Sequence, residues 1–402
     1  MKLLHGTLLA ALAGSAVVAT TETLNTIVVL QPGTSVDQLV ASGLLAESEI
    51  TSKFDIGDAG RFAGFVTKST PRELQQLQQS SLVRFIEQDK IYRALGESQP
   101  CGPNDLCSWG LDRISQDDLP LSGEYTHDPE GGRNVDVYIV DTGINTKHDD
   151  FNGRAKFGAS FPSDARHHDT DCQGHGTHVA GTVGGTHFGV AKAATLIGVK
   201  VMGCLGFGST SDIVQGIDWV TRQHTRSGKA FSVLNMSLGG SQSDVLDAAV
   251  DASSAAGVVN VVAAGNSRGD ACHLSPAGAE TAFTVGSTSK KDKISYFSER
   301  GPCVDIQAPG SSITSASNKP YKNGATPEGQ KTQSGTSMAA PHVAGAVAVK
   351  LSQQCSHDMV SCRFQSVDEI VASVVADAVE DKLSNVPSDT VNKLLYVRAS
   401  AN

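Results

Sequence analysis

Beyond residue 103 the chain alternates strand-like apolar runs, such as Val135–Val140 and Val258–Ala264, with helix-patterned segments, such as Ser209–Arg222, Ser243–Ala256 and Met338–Gln353. Strands alternating with helices predict an α/β architecture: a doubly wound parallel sheet with helices on both faces. The chain has 402 residues, 39% of them apolar and 18% charged, which is enough for two or three folded units and argues against disorder. Its 41 glycines show no three-residue period, so a collagen-like fold is out. A net charge of −10 is the wrong sign for a general nucleic-acid binder. Eight scattered cysteines, not bunched in CxxC pairs, argue against a zinc ribbon.

Residues 1–19 read as a secretory signal: Lys2 supplies the charge, Leu8–Ala19 is small or apolar, and Val17 and Ala19 precede a cut near Thr20. The run is shorter than the roughly 20 residues of a spanning helix. Export places the cysteines in an oxidising compartment. Residues 20–95 have their own texture: strands at Thr26–Leu30, Phe62–Thr67 and Val83–Gln88, and helices at Ser35–Glu47 and Pro71–Ser80. This is the pattern of a small α+β domain preceding the large one. Gly96–Pro103 (GESQPCGP) is a turn-rich joint, and 96–402 forms the larger unit.

Three strings in that unit carry chemistry. In VYIVDTGI, an apolar strand ends in Asp141, and ligands gather at the carboxyl ends of strands in open parallel sheets. In GHGTHVAGTVGG, glycines flank His175 at the start of a small-residue helix, with His178 one turn on. In SGTSMAAPHVAG, Ser337 opens a helix whose dipole favours a partly anionic hydroxyl, and Pro341 requires a first-turn position or a kink. Singly, each residue is also explained as a cap, a core histidine or a turn residue. Jointly they supply what a weak hydroxyl nucleophile needs: a base for its proton and a carboxylate that fixes the base's tautomer.

The three strings, in the chain order Asp, His, Ser, resemble the subtilisin-like serine proteases, within them the proteinase K and aqualysin branch, from about Ser108 to Tyr396. The resemblance implies that Asp141 orients, His175 is the base and Ser337 the nucleophile. It makes the Asn266 side chain in VVAAGNS and the Ser337 N–H the two oxyanion donors. Two segments would flank an extended substrate as added strands: Gly206, Phe207 and Gly208 on one side, Ser237, Leu238 and Gly239 on the other. Ala263, Ala264 and Gly265 would form one wall of the primary pocket, whose small residues suggest an apolar preference before the cut. The function implied is a secreted, monomeric endopeptidase of broad specificity, made as a self-processing zymogen. Residues 20–95 would be its inhibitory propeptide and folding aid, with the cut near Leu95–Gly96.

Other implications follow from the same likeness. Cys172 pairs with Cys204 and Cys272 with Cys303; proximity and even count then leave Cys101 with Cys107 and Cys355 with Cys362. Catalysis needs no cofactor, but structural calcium is expected. Asp305 with the carbonyls of Glu280 and Ala282 would form one site, and Asp112 with Gln116 a second, where Ser115 replaces an expected Asp. Asp164, Asp169 and Asp171 read as cation ligands or solvated carboxylates, the solvated reading being favoured because exposed carboxylates are mostly unliganded. The sequon at Asn235 falls in the presumed substrate strand and should carry no glycan. A rival reading is a zinc hydrolase built on His167, His168, Cys172, His175 and His178, against which stands the lack of an HExxH motif. A second rival, an inactive binding relative, would be expected to lack one of the four residues named, all of which are present.

Overall fold

The computed structural model describes residues 24–57, 61–94, 97–98, 108–162, 168–318 and 329–398. The expected signal, the Leu95–Gly96 junction, Cys101, Cys107, Asp164 and His167 lie outside them.

The leader folds first in chain order: β1 (Leu24–Leu30), α1 (Val36–Ala41), β2 (Ile50–Ile56), β3 (Phe62–Ser69), α2 (Pro71–Gln78) and β4 (Val83–Gln88). These strands form a four-stranded antiparallel sheet ordered β2-β3-β1-β4. The sequence predicts three strands; β2 escapes because the polar run Thr51–Lys53 breaks the alternation that marks a strand, and only Phe54 and Ile56 are buried. The helix expected over Ser35–Glu47 stops at Ala41, after a capping box in which Ser35 and Gln38 satisfy each other's backbone N–H. In α2, Thr70 and Glu73 form the same box with Pro71 at the first position.

The leader ends in a short strand, β5 (Ile91–Ala94); the larger unit begins with β6 (Glu97–Ser98), then α3 (Trp109–Arg113), β7 (Asp136–Asp141), β8 (Ala155–Ser160) and α4 (His175–Gly184). There follow β9 (Thr195–Lys200), β10 (Phe207–Ser209), α5 (Thr210–Ser227), β11 (Ser232–Met236), β12 (Leu238–Ser241), α6 (Asp244–Ala255) and β13 (Val258–Ala263). The chain closes with β14 (Leu274–Ser275), β15 (Phe283–Ser289), β16 (Lys293–Ile294), β17 (Ile306–Pro309), β18 (Ile313–Ala316), β19 (Gln330–Ser334), α7 (Thr336–Gln354), α8 (Val367–Asp377), β20 (Val379–Glu380) and β21 (Lys393–Leu394).

A ten-stranded sheet runs β20-β21-β17-β15-β13-β11-β7-β9-β8, with β16 beside β15. From β8 to β21 every neighbouring pair is parallel. One face packs on α4, α7 and α8 through residues such as Val183, Val343 and Ile370. The other packs on α5 and α6 through Ile217, Val220, Leu246 and Val250. Burial on both sides explains why β11 and β13 are buried at every position and lack alternation. Strand order reverses at β7: β8 and β9 lie on one side of it, β11 and its successors on the other. The carboxyl ends of β7 and β11 therefore meet at a switch point, where open α/β sheets hold their ligands.

The leader sheet lies on the outer surface of α5 and α6. Ile27, Val29, Phe54, Ile56, Phe62 and Val66 join the core built on those helices. Val28, Leu30 and Phe65 point the other way, into a separate core with Leu39 and Leu77. Two buried faces explain the unbroken TIVVL run of β1.

Candidate active site

Asp141 is the last residue of β7 and fully buried. Its carboxylate meets Nδ1 of His175 at 2.9 Å from each oxygen and accepts the Thr142 N–H at 2.7 Å. His175 is the first residue of α4. A carboxylate on Nδ1 holds the imidazole with Nε2 as its basic end.

Four residues that the sequence reading passed over or misassigned hold this pair. Asp171, read above as solvated, is only 5% exposed. One of its oxygens accepts the Thr142 hydroxyl and the N–H groups of Gln173 and Gly174; the other accepts the N–H and hydroxyl of Thr177. Its charge thus satisfies N–H groups at the start of α4, where no intrahelical acceptor exists. Thr142 in turn accepts the Gly176 N–H on its hydroxyl. Buried Lys200 donates to the carbonyls of Thr142 and Met202 at 2.7 and 2.9 Å. A DxxGHG spacing with Thr after Asp141 was the available signal; nothing in the pattern separates a five-bond buried Asp from an exposed one.

Ser337 is the second residue of α7, behind Thr336 and the N-cap Gly335, and is fully buried. Its hydroxyl donates to the Ser237 carbonyl at 3.1 Å, and the Ser237 hydroxyl donates back to the Ser337 carbonyl at 2.9 Å. Pro341 explains the second bond. It lies past the first turn and lacks the N–H that the Ser337 carbonyl would otherwise accept, so Ser237 takes that place. The Ser337 N–H itself lies in the first turn, with no intrahelical acceptor. Asn266 follows β13, and its Oδ1 accepts the N–H and hydroxyl of Thr336 at 2.9 and 3.0 Å. Anchoring that oxygen leaves Nδ2 as the donating end of the amide. Ala263 and Ala264 are buried beside it.

The two flanking segments meet an occupant. β5 pairs antiparallel with β10 on one side and with β12 on the other, in the order β10-β5-β12-β14. The registers are Phe207↔Arg93 and Gly208↔Tyr92, then Leu238↔Ala94 and Gly239↔Arg93. Past residues 95–96, β6 pairs antiparallel with β19, Glu97↔Ser334. Glycines at 206 and 208 have a reason other than room for a substrate. Gly206 takes a φ of +79°, and a Cβ on Gly208 would lie 2.2 Å from the Val201 carbonyl oxygen.

Cys172–Cys204, Cys272–Cys303 and Cys355–Cys362 are disulfide-bonded. The first of these, with His178, removes the zinc reading. Burial pushes the His178 ring down to about 3, so it stays neutral, with Nε2 against the carbonyls of Ile313 and Lys331. Among the described residues no group of three His, Cys, Asp or Glu could hold a metal. Asn235 is fully buried, at odds with a glycan.

The two calcium assignments fare differently. Asp112 and Gln116 face donors: Asp112 accepts the Ser122 N–H and hydroxyl and the Gly123 N–H, and the Gln116 amide oxygen also accepts the Ser122 N–H. These bonds tie Asp112 and Gln116 to the loop at Ser122 and Gly123. Asp305 accepts only the Thr284 N–H among the side-chain bonds described, and burial pushes its carboxyl up to about 6. A half-buried carboxylate without a positive partner fits a hard cation.

Residues 132–383 match the Subtilase family. The chain is 43% identical to Alkaline serine exoprotease A of Vibrio alginolyticus over 92% of its length, and 46% identical to the Extracellular serine proteinase of Thermus sp. (strain Rt41A) over 72%. These matches cover 63% and 66% of the two relatives' own lengths. A crystal structure of a cold adapted subtilisin-like serine proteinase superposes with a TM-score of 0.65 at 44% identity, covering 73% of this chain and 98% of that one. The chain belongs to the subtilase family of serine endopeptidases. Within it, the Thermus and Vibrio relatives agree with the branch suggested by the three strings.

If Asp171 organises the Asp141–His175 pair, Asp171→Ala lowers kcat/KM on a peptide amide by about 10²-fold, the scale of a displacement near 1 Å at a reacting group. Steady-state kinetics on folded protein checks this; an unchanged kcat/KM would confine Asp171 to a structural role.

Proposed function

We propose that this chain is a secreted serine endopeptidase, made as a zymogen that cuts itself and acting through an acyl-enzyme. The observation that carries the reading is the Asp141–His175 carboxylate–imidazole pair at the switch point, together with Ser337 in the first turn of α7, bonded to Ser237 just past β11. His175 takes the Ser337 proton as the hydroxyl attacks a peptide carbonyl, and Asp141 stabilises the imidazolium. The oxyanion is held by the Asn266 Nδ2 and the Ser337 N–H, an arrangement in which one side-chain donor is worth about 10²–10³ in turnover. His175 then protonates the leaving amine, and water releases the acyl group by the reverse path. The secretory reading of residues 1–19 and the names of the relatives support an extracellular site of action; among the described residues no helix is long and apolar enough to cross a membrane.

Residues 20–95 act as inhibitor and folding aid. Three features support this. The leader covers α5 and α6 with apolar side chains. Two of its carboxylates cap those helices: Asp89 accepts the N–H and hydroxyl of Ser211, and Glu87 accepts the Val245 N–H. Its end occupies the position of a substrate strand. The described register ends with Ala94 opposite Leu238, the neighbour of Ser237, whose carbonyl holds the Ser337 hydroxyl. That favours the bond after Leu95 and, with the small pocket wall at Ala263 and Ala264, a broad preference for apolar residues before the cut. Ser337→Ala should leave uncleaved precursor, whereas the wild type should yield an amino terminus at Gly96. A processed Ser337→Ala product, made without added protease, would refute the assignment.

Calcium is proposed at Asp305 with the carbonyls of Glu280 and Ala282, as a structural ion that offsets the half-buried charge and takes no part in catalysis. Chelation with EGTA should lower the thermal midpoint of the wild type, and Asp305→Asn should remove most of that effect. A wild-type midpoint indifferent to EGTA would exclude the site.

A further inference from the structure

We propose that Glu299 is a positioning residue for the oxyanion donor, gripping the peptide units on both sides of Asn266. The inference rests on the assignment of Asn266 given above. Glu299 lies on the segment between β16 and β17 and is 2% exposed. Its backbone N–H donates to the carbonyl of Gly265 at 3.0 Å. Its Oε1 accepts the N–H of Ser267 at 3.2 Å. Gly265 and Ser267 are the residues immediately before and after Asn266, so one residue fixes both ends of the three-residue segment that carries the amide.

The side chain also fills the space under that segment. Gly265 adopts a φ of +117°, and a Cβ there would lie 2.6 Å from Cγ of Glu299. The neighbouring contacts run in the same sense. Arg268 N–H donates to the Phe297 carbonyl, Arg300 N–H to the Gly269 carbonyl, and Ala271 N–H to the Arg300 carbonyl. The Cys272–Cys303 disulfide closes this two-segment module at its far end. From the opposite side, Thr336 at the start of α7 holds the Asn266 Oδ1. Thr336 thus sets which end of the amide donates, and Glu299 sets where the amide sits.

Stability does not account for a carboxylate here. The Glu299 Oε2 is buried without a well-formed hydrogen bond. Burial is the main influence raising its carboxyl above the ordinary range; Asp270 adds to the rise, and the Ser267 and Gly269 N–H groups and Arg300 oppose it. An apolar side chain of similar length would avoid that penalty. What it would lose is the acceptor for Ser267. An oxyanion donor works only if it is aimed before charge develops, since reorientation during the reaction forfeits the advantage of a preorganised site.

The test compares kcat and KM on a peptide amide for wild type, Glu299→Ala, Glu299→Gln, Asn266→Ala and the Asn266→Ala/Glu299→Ala double variant. Loosening the donor should lower kcat about tenfold in Glu299→Ala, with KM within about twofold, because only transition-state binding is affected. Glu299→Gln keeps an acceptor for the Ser267 N–H and should recover kcat to within about threefold of wild type. With Asn266 already truncated, the Glu299→Ala change should add less than about twofold, the signature of two residues acting through one group. Should Glu299→Ala fail to accumulate, Glu299→Met keeps the length, removes the acceptor and is read in the same way. The proposal is overturned if kcat is unchanged in Glu299→Ala, if the loss is equal with and without Asn266, or if Glu299→Gln loses as much as Glu299→Ala. If Asn266→Ala itself leaves kcat intact, the donor assignment falls and the Glu299 proposal falls with it, a result distinct from the other three.

Discussion

β7 and β11 lie side by side although β8, α4, β9, β10 and α5 separate them in the chain. The sheet grows outward from β7 in both directions, so these two strand ends open into the same crevice. Asp141 ends one strand, and Ser237 follows the other. Each then receives the amino-terminal end of a buried helix: α4 brings His175 to Asp141, and α7 brings Ser337 to Ser237. Helix N-termini carry unsatisfied N–H groups and a positive dipole end, which is what a developing oxyanion needs. The chemistry therefore depends on where the parallel sheet reverses its order. The short polar bonds around the pair refine a placement that the topology has already made.

The same topology explains the leader. Helices α5 and α6 carry apolar residues on the side away from the sheet, which an independent catalytic unit would expose. The leader's sheet covers them and its carboxylates satisfy their first turns. The end of the leader then runs on as a strand between β10 and β12. One continuous segment thus links a fold-level contact to the reacting groups.

Much of this was legible in the residues. The alternation of apolar runs and helical segments predicts the doubly wound sheet, and Asp141, His175, Asn266 and Ser337 stand in short strings whose glycines and small residues announce tight turns. What was not legible has physical causes. Asp171 looks like any acidic loop residue; its role depends on Thr142 and Thr177 arriving from other elements. Strand β2 is half exposed, so its pattern resembles a loop. The bonds from the loop at Ser122 and Gly123 to Asp112 and Gln116 join residues whose spacing in the chain carries no periodic signal. Glu299 is some thirty residues from Asn266, and nothing in its neighbourhood marks it as other than a surface acid.

The account stands on Ser337 being made nucleophilic by the His175–Asp141 pair. The most direct measurement is a mass-spectrometric peptide map of the mature protein after treatment with a fluorophosphonate that reacts with activated serines. A single adduct on the peptide containing Ser337, present in the wild type and lost in a His175→Ala protein whose leader has been removed by an added protease, is the predicted result. Labelling on a different serine, or labelling of Ser337 that proceeds unabated without His175, would contradict it.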